Sequence, residues 1–275
     1  MKKRSAIITG SSSGFGLLTA IELAKKDFSV IATMRNTSKA EILLELSKQN
    51  GVRENIDIRQ LDVTSEESVN NFILKIESAD ILVNNAGLAV GGFCEELSLK
   101  DYRVQFETNF FGAIRVTQAL LPFLRKSDQG KIINISSISG QIGFPGLSAY
   151  SASKHALEGW SESLRLELKP FGIDVVLVEP GSYETSIWTS IDDVNTKADS
   201  IYKDYMKFIL NELEKGKPDY GNPIEVARLV SDIADHKNPA LRYPVGKGVK
   251  RNLILKNILP WKTIEKAVLK RIAKK

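Results

Sequence analysis

The chain has 275 residues, with 43% hydrophobic and 26% charged, an ordinary globular composition that suits one large α/β domain or two small ones. Cys94 is the only cysteine and His155 and His236 the only histidines, which excludes an intramolecular disulfide and argues against a metalloenzyme. The net charge of +5 is uneven: Lys247–Lys275 holds ten Lys or Arg against Glu265 alone, leaving −4 on the rest, so a basic tail is expected and no nucleic-acid surface.

A reducing cytoplasm fits the cysteine usage best. The apolar run after Met1-Lys2-Lys3-Arg4 is only Ala6-Ile7-Ile8, too short for the core of a signal peptide. No run approaches the length of a membrane span.

In chain order, Ser5–Thr9 reads as a buried strand and Leu17–Lys26 as a helix. Ser29–Thr33 is a second strand, followed by a helix over 39–48. A third strand covers 56–61 and a third helix 65–76. Asp80–Val83 is a fourth strand. A long helix fits Leu99–Leu121, ending before Pro122. Strands at 131–135 and 173–178 flank a helix from Tyr150 to Lys169. Strands apolar on both faces, alternating with helices, imply a parallel sheet covered on each side. Right-handed crossovers then give α/β architecture: a doubly wound, Rossmann-type parallel sheet of about seven strands in a single domain, residues 1–275.

Between the first strand and the first helix stands Gly10-Ser11-Ser12-Ser13-Gly14-Phe15-Gly16. Glycines allow the sharp turn and let a pyrophosphate approach the helix N-terminus, where free N–H groups favour an anion. The spacing, Gly-x3-Gly-x-Gly, differs from the standard dinucleotide fingerprint, and its position carries the reading. At the end of the second strand an NAD enzyme would place an acid for the adenosine ribose. Here Arg35 follows Thr33-Met34, a guanidinium suited to a 2′-phosphate. NADP is therefore favoured over NAD.

Tyr150 and Lys154 lie at i and i+4 of one helix. Tyr243 and Lys247 share that spacing, but Pro244 and Gly246 between them argue against a helix. Bringing a phenol from its ordinary ~10 to ~7 takes about 4 kcal/mol of preferential phenolate stabilisation. One cation at ~4 Å supplies that in an effective dielectric of ~20. Lys154 is thus expected to lower the Tyr150 pKa and make it an acid–base group. Ser136 or Ser137 could bond the substrate oxygen.

These motifs resemble the short-chain dehydrogenase/reductase family, in its short single-domain branch. The matching residues are Thr9-Gly10…Gly14-Phe15-Gly16, Asn84-Asn85-Ala86-Gly87, Asn109, Ser137, Tyr150…Lys154 and Pro180-Gly181…Thr185. Thr108–Gly112 and Arg115–Gln118 look like the subgroup that acts on hydroxysteroids, retinoids and other lipophilic alcohols. The resemblance implies Tyr150 as general acid/base, with Lys154 lowering its pKa and holding the nicotinamide ribose. It selects Ser137, thirteen residues before Tyr150, over Ser136. It implies that Asn109 holds a proton-relaying water and that Asp62 and Val63 meet the adenine. Asn85, Ala86 and Gly87 would line the cofactor channel, and Pro180, Gly181 and Thr185 would contact the nicotinamide end. It also suggests a homodimer or homotetramer.

The resemblance also implies a substrate lid over about 182–220, where Ile187, Trp188, Ile191, Tyr202, Tyr205, Met206 and Phe208 suggest a lipophilic carbonyl or alcohol substrate. Trp188 and Tyr183 are expected to line its pocket. The tail, about 247–275, reads as a helix from Leu253 with Trp261, Ile264, Val268 and Ile272 on one stripe. Packing on the protein or a partner subunit is preferred for it over peripheral contact with an anionic membrane. The competing readings are an NAD(H) enzyme of the same type and a non-catalytic NADP-binding regulator.

Overall fold

In the computed structural model, residues 3–185 and 200–272 are described. Seven strands form one parallel sheet in the order β3-β2-β1-β4-β5-β6-β7. They are β1 (Ser5–Ile8), β2 (Ser29–Met34), β3 (Ile56–Gln60), β4 (Ile81–Asn84), β5 (Lys131–Ile135), β6 (Asp174–Pro180) and β7 (Arg242–Val245). The helices are α1 (Gly14–Lys25), α2 (Glu41–Gln49), α3 (Glu66–Ile73), α4 (Leu99–Phe106), α5 (Gly112–Leu124) and α6 (Ser148–Leu168). Further along the chain come α7 (Lys203–Gly216), α8 (Ile224–Asp235), α9 (Val249–Ile258) and α10 (Trp261–Ile272).

Side chains alternate across each strand, so one strand feeds two cores. Ala6 and Ile8 of β1, Ile81 and Val83 of β4, and Val176 and Val178 of β6 pack with α1, α2 and α8. Ile7, Leu82 and Val175 point the other way, against Val69 and Phe72 of α3, Val116 and Leu120 of α5, and Leu164 of α6. Each fully buried Ile, Leu or Val stabilises the fold by roughly 1.5–3 kcal/mol, which explains why β1, β4, β5 and β6 carry such long apolar runs.

The doubly wound, single-domain expectation holds, with three local corrections. The helix expected over 99–121 is broken by a π-helical turn at Glu107–Phe111 and runs on to Leu124, taking in Pro122. Pro122 lies in the last turn, where the ring removes one N–H and disturbs little beyond it. The seventh strand, counted in the expected sheet but given no segment of the chain, is β7. It is a four-residue edge strand containing Pro244, which edge positions tolerate. The tail helix divides at Leu259-Pro260, because the residue before a proline is driven to extended backbone (Leu259 φ −83°, ψ 139°). Among the described residues no helix is long and apolar enough to cross a membrane.

Candidate active site

The strand order reverses between β1 and β4, so the loops leaving their C-terminal ends diverge and open a crevice. The two loops are stapled at its base. Thr9 Oγ1 accepts hydrogen bonds from the main-chain N–H of Asn85 and of Ala86, both at 3.0 Å. Asn85 Nδ2 in turn donates to the carbonyls of Thr9 and Gly10, both at 2.9 Å. Gly10 takes φ +70°, and a Cβ there would stand 2.8 Å from Ala86 Cα. At Gly16 a Cβ would stand 2.4 Å from the Gly10 carbonyl oxygen. No larger residue fits either place, so the glycines serve the close approach of two loops as well as the turn.

A cavity of about 1530 Å³ runs from this staple along the C-terminal edge of the sheet. That is larger than a usual single-ligand pocket and has room for a dinucleotide and a second molecule. Gly10, Ser12, Ser13, Gly14 and Phe15 line one end, at the N-terminus of α1, whose first turn holds no acidic side chain. Gly16 lies just behind them, inside α1. Arg35 borders the cavity as an exposed side chain beside buried Met34 at the end of β2. Asp62 and Val63 form the next stretch of wall. Asp62 Oδ1 accepts from the N–H and hydroxyl of Thr64 at 3.0 and 2.7 Å, and Arg115 holds the Val63 carbonyl at 2.5 Å. Asn85, Ala86 and Gly87 continue the lining, and Pro180, Gly181 and Thr185 close the opposite side.

The donor set of this cradle fits an NADP-type dinucleotide: a helix N-terminus free of carboxylates, main chain exposed by glycine, and a cation at the β2 end.

Ser137, Tyr150 and Lys154 line the middle of the same cavity. Ser137 leaves β5 in extended backbone and accepts from the Ser139 N–H at 3.1 Å. It is hydrogen-bonded to Tyr150. Lys154 is buried, and its Nζ donates to the Ile135 carbonyl at 2.7 Å, lying 5.8 Å from the Tyr150 ring centre. Ser136 also borders the cavity, but it is buried and its hydroxyl has no hydrogen-bond partner among the described residues.

The electrostatics correct one expectation. Burial pushes the Tyr150 phenol up to about 12, and the bond with Ser137 offsets this only in part. Burial also draws Lys154 down to about 8, opposed by the Glu158 carboxylate. In the protein alone, desolvation therefore outweighs the lowering expected from Lys154, because the ammonium is turned to Ile135 and not to the phenol.

Asn109 sits inside the π-helical turn and is 2% exposed. Its Oδ1 accepts from the Leu88 N–H and its Nδ2 donates to the Leu88 carbonyl, both at 2.9 Å. Nδ2 also donates to Ser153 Oγ on α6 at 3.3 Å. The side chain thus clamps the β4 loop to α6. The extra residue of the π turn sets this alignment, as such turns often do at functional sites.

Tyr183 is a second correction. Although it borders the cavity, its ring is 1% exposed, edge-on to Phe15 at 5.5 Å, and its hydroxyl donates to Glu225 at 3.1 Å. It supports the glycine turn from beneath and offers little wall to a substrate. Trp188, Ile187 and Ile191 lie outside the described residues. Tyr205, Met206 and Phe208 of α7 do border the cavity, while Tyr202 stacks on Phe93 at 4.3 Å. Tyr243 and Lys247, the decoy pair, are separated: one is in β7, the other pairs with Asp219 at 2.6 Å.

Two groups were not foreseen. Glu158 and Glu179, buried behind Lys154, share Arg242, whose Nε lies 2.9 and 3.3 Å from them. Burial first, then the Glu158 charge, pushes Glu179 up to about 7. Glu158 stands one turn beyond Lys154, a spacing visible in sequence, but nothing there brings Glu179 and Arg242 beside it. The second group is the C-terminal helices, which reach over the cavity with Leu255, Leu259 and Trp261.

Comparison with known proteins agrees with this geometry. Residues 4–195 match the family model described as short chain dehydrogenase. The chain is 50% identical to the uncharacterized oxidoreductase YusZ of Bacillus subtilis, over 99% of both chains. It is 38% identical to 3-ketodihydrosphingosine reductase of Bacteroides thetaiotaomicron, over 90% of this chain and 89% of that one. A short-chain dehydrogenase from Streptomyces avermitilis superposes over the whole of both chains with a TM-score of 0.80 at 30% identity. Actinorhodin polyketide ketoreductase with NADPH does so with a TM-score of 0.74 at 30% identity, over 90% of this chain and 97% of that one.

Proposed function

The chain belongs to the short-chain dehydrogenase family, and on that premise we propose that it is an oxidoreductase linking NADP(H) to the carbonyl or secondary alcohol of a lipophilic small molecule. One observation carries the reading: the glycine cradle with its Arg35 and the Ser137–Tyr150–Lys154 group open into a single cavity. NADP(H), when bound, would supply or accept the hydride. It would be held by Gly10, Ser12, Ser13, Gly14, Phe15 and Gly16 at the pyrophosphate, Arg35 at the 2′-phosphate, and Asp62 and Val63 at the adenine. Asn85, Ala86 and Gly87 would flank it, with Pro180, Gly181 and Thr185 towards the nicotinamide.

Tyr150 gives its phenolic proton to the substrate oxygen during reduction and recovers it during oxidation. A phenol with a pKa near 12 is fully protonated at neutral pH, which suits the reducing direction. Ser137 steadies the substrate oxygen, and Lys154, on α6 and tied to the Ile135 carbonyl, orients the site. Asn109 keeps the β4 loop and α6 aligned for them. Of the segment expected as the substrate lid, Tyr205, Met206 and Phe208 of α7 line the substrate end of the cavity, with Leu255, Leu259 and Trp261 of the tail at its outer rim. The lipophilic substrate follows from the apolar side chains of α7 and the C-terminal helices. The likeness to 3-ketodihydrosphingosine reductase supports the same class. A homodimer or homotetramer in the cytoplasm accompanies this reading.

Cofactor kinetics test it. With a lipophilic ketone, NADPH should be the better reductant, and Arg35→Ala should lower kcat/KM for NADPH by roughly 10- to 100-fold, the worth of a charged hydrogen bond, with NADH unaffected. Preference for NADH would establish the NAD reading, and no oxidation of either cofactor across a broad ketone panel would favour a non-catalytic binder.

A further inference from the structure

A surface helix needs one apolar stripe to hold it to the fold, and α9 already has one in buried Val249 and Leu253. Its other side is apolar as well. Ile254 and Ile258, one turn apart, are 48% and 72% exposed, and neither borders the cavity. Beside them Leu255, Leu259 and Trp261 do border it, and Trp261 is 60% exposed. Val268 and Leu269 of α10 also combine exposure with a place in the cavity wall. The mouth of the cavity is thus rimmed by apolar side chains that the described residues leave in solvent, a patch that isolated monomers rarely show.

The charge around the patch says what covers it. Lys250, Lys262, Lys266 and Lys270 are exposed on the same two helices, and the segment from Lys247 to Lys275 carries +9 in a chain that is otherwise −4. A second copy of this chain would bring a second set of these cations against the first. An anionic lipid surface answers both features, taking the apolar residues into its headgroup boundary and the lysines at its charge. Trp261, at the turn between the helices, has the amphipathic ring favoured at that depth.

We propose that α9 and α10 form a reversible docking surface for an anionic bilayer, with the mouth of the cavity held at the membrane. This reverses the preference for protein packing drawn from the tail's sequence. It goes beyond the proposed reaction and is measured without turnover.

The test is co-sedimentation of the full-length protein with vesicles of phosphatidylglycerol mixed with phosphatidylcholine, and of phosphatidylcholine alone. At low salt the anionic vesicles should carry down about 10-fold more protein than the neutral ones, and added salt should reduce the difference. The double variant Ile254→Glu/Ile258→Glu should fall to the neutral-vesicle level while keeping the parent's circular dichroism and thermal unfolding. Lys262→Glu/Lys266→Glu, at exposed positions, gives the same reading should the first variant fold poorly. Equal sedimentation with both vesicles, or binding unchanged in both variants, overturns the proposal. So does sedimentation velocity showing that the substitutions dissolve a dimer in the absence of lipid.

Discussion

Lys154 Nζ donates to the main-chain carbonyl of Ile135 across 2.7 Å, which fixes α6 to the end of β5. The same burial that permits this bond draws the lysine down to about 8. Below that pH the folded state holds an ammonium that solvent would stabilise better. Its cost is fully present at neutral pH and fades as pH rises from about 8 towards the ordinary lysine value.

Lys154→Met should therefore separate stability from activity. At pH 7 the variant loses one hydrogen bond, worth about 1 kcal/mol, and also the larger cost of the buried charge. Its Tm should equal or exceed that of the parent, while kcat/KM for ketone reduction falls at least ~100-fold. Calorimetry at pH 7 and pH 10 checks the sign, because the parent should gain on the variant as the lysine deprotonates.

The staple between β1 and β4 carries a second expectation. Thr9→Val keeps the shape of the side chain but leaves two half-buried N–H groups, those of Asn85 and Ala86, without their acceptor. Each such loss costs about 1–3 kcal/mol. Urea unfolding should show a loss of that order, and NADPH affinity measured by fluorescence should drop with it, because Asn85 and Ala86 line the cavity.

These particulars show what was legible in the chain. The parallel sheet could be read because β1, β4, β5 and β6 are apolar on both faces and helix-like stretches separate them. The Tyr150–Lys154 pair and Ser137 are local in sequence, and the structure does bring them into one cavity. The Ile135 contact could not be read, since a main-chain carbonyl has no sequence signature. The π turn at Asn109 escaped for a similar reason: its residues are ordinary helix formers, and packing against Leu88 and Ser153 decides the extra residue. Tyr183 looked like substrate wall because it is large and near the lid, yet Gly221 and Gly246 leave a slot that takes its ring into the core. β7 was hidden by its length and by Pro244.

Glu179 gives the chain a pH dependence of the opposite sign to Lys154. Its pKa is raised to about 7, so the stability it contributes is fully present below the ordinary carboxyl value and is lost as pH rises through about 7. Glu179→Gln holds the neutral form at every pH. Urea unfolding at pH 5 and pH 8 should show a smaller decline in the variant than in the parent. An equal decline would mean that Arg242 already compensates the charge.

In the proposed reaction Tyr150 transfers the proton to the substrate oxygen as NADPH reduces it. The most direct measurement follows the near-ultraviolet absorbance of NADPH with a lipophilic ketone, for the parent and Tyr150→Phe, alongside NADPH binding to each. The phenylalanine variant loses only a hydroxyl, so it should bind NADPH as the parent does and reduce the ketone about 10²–10⁴-fold more slowly. A Tyr150→Phe protein that turns over at the parent's rate would contradict the account.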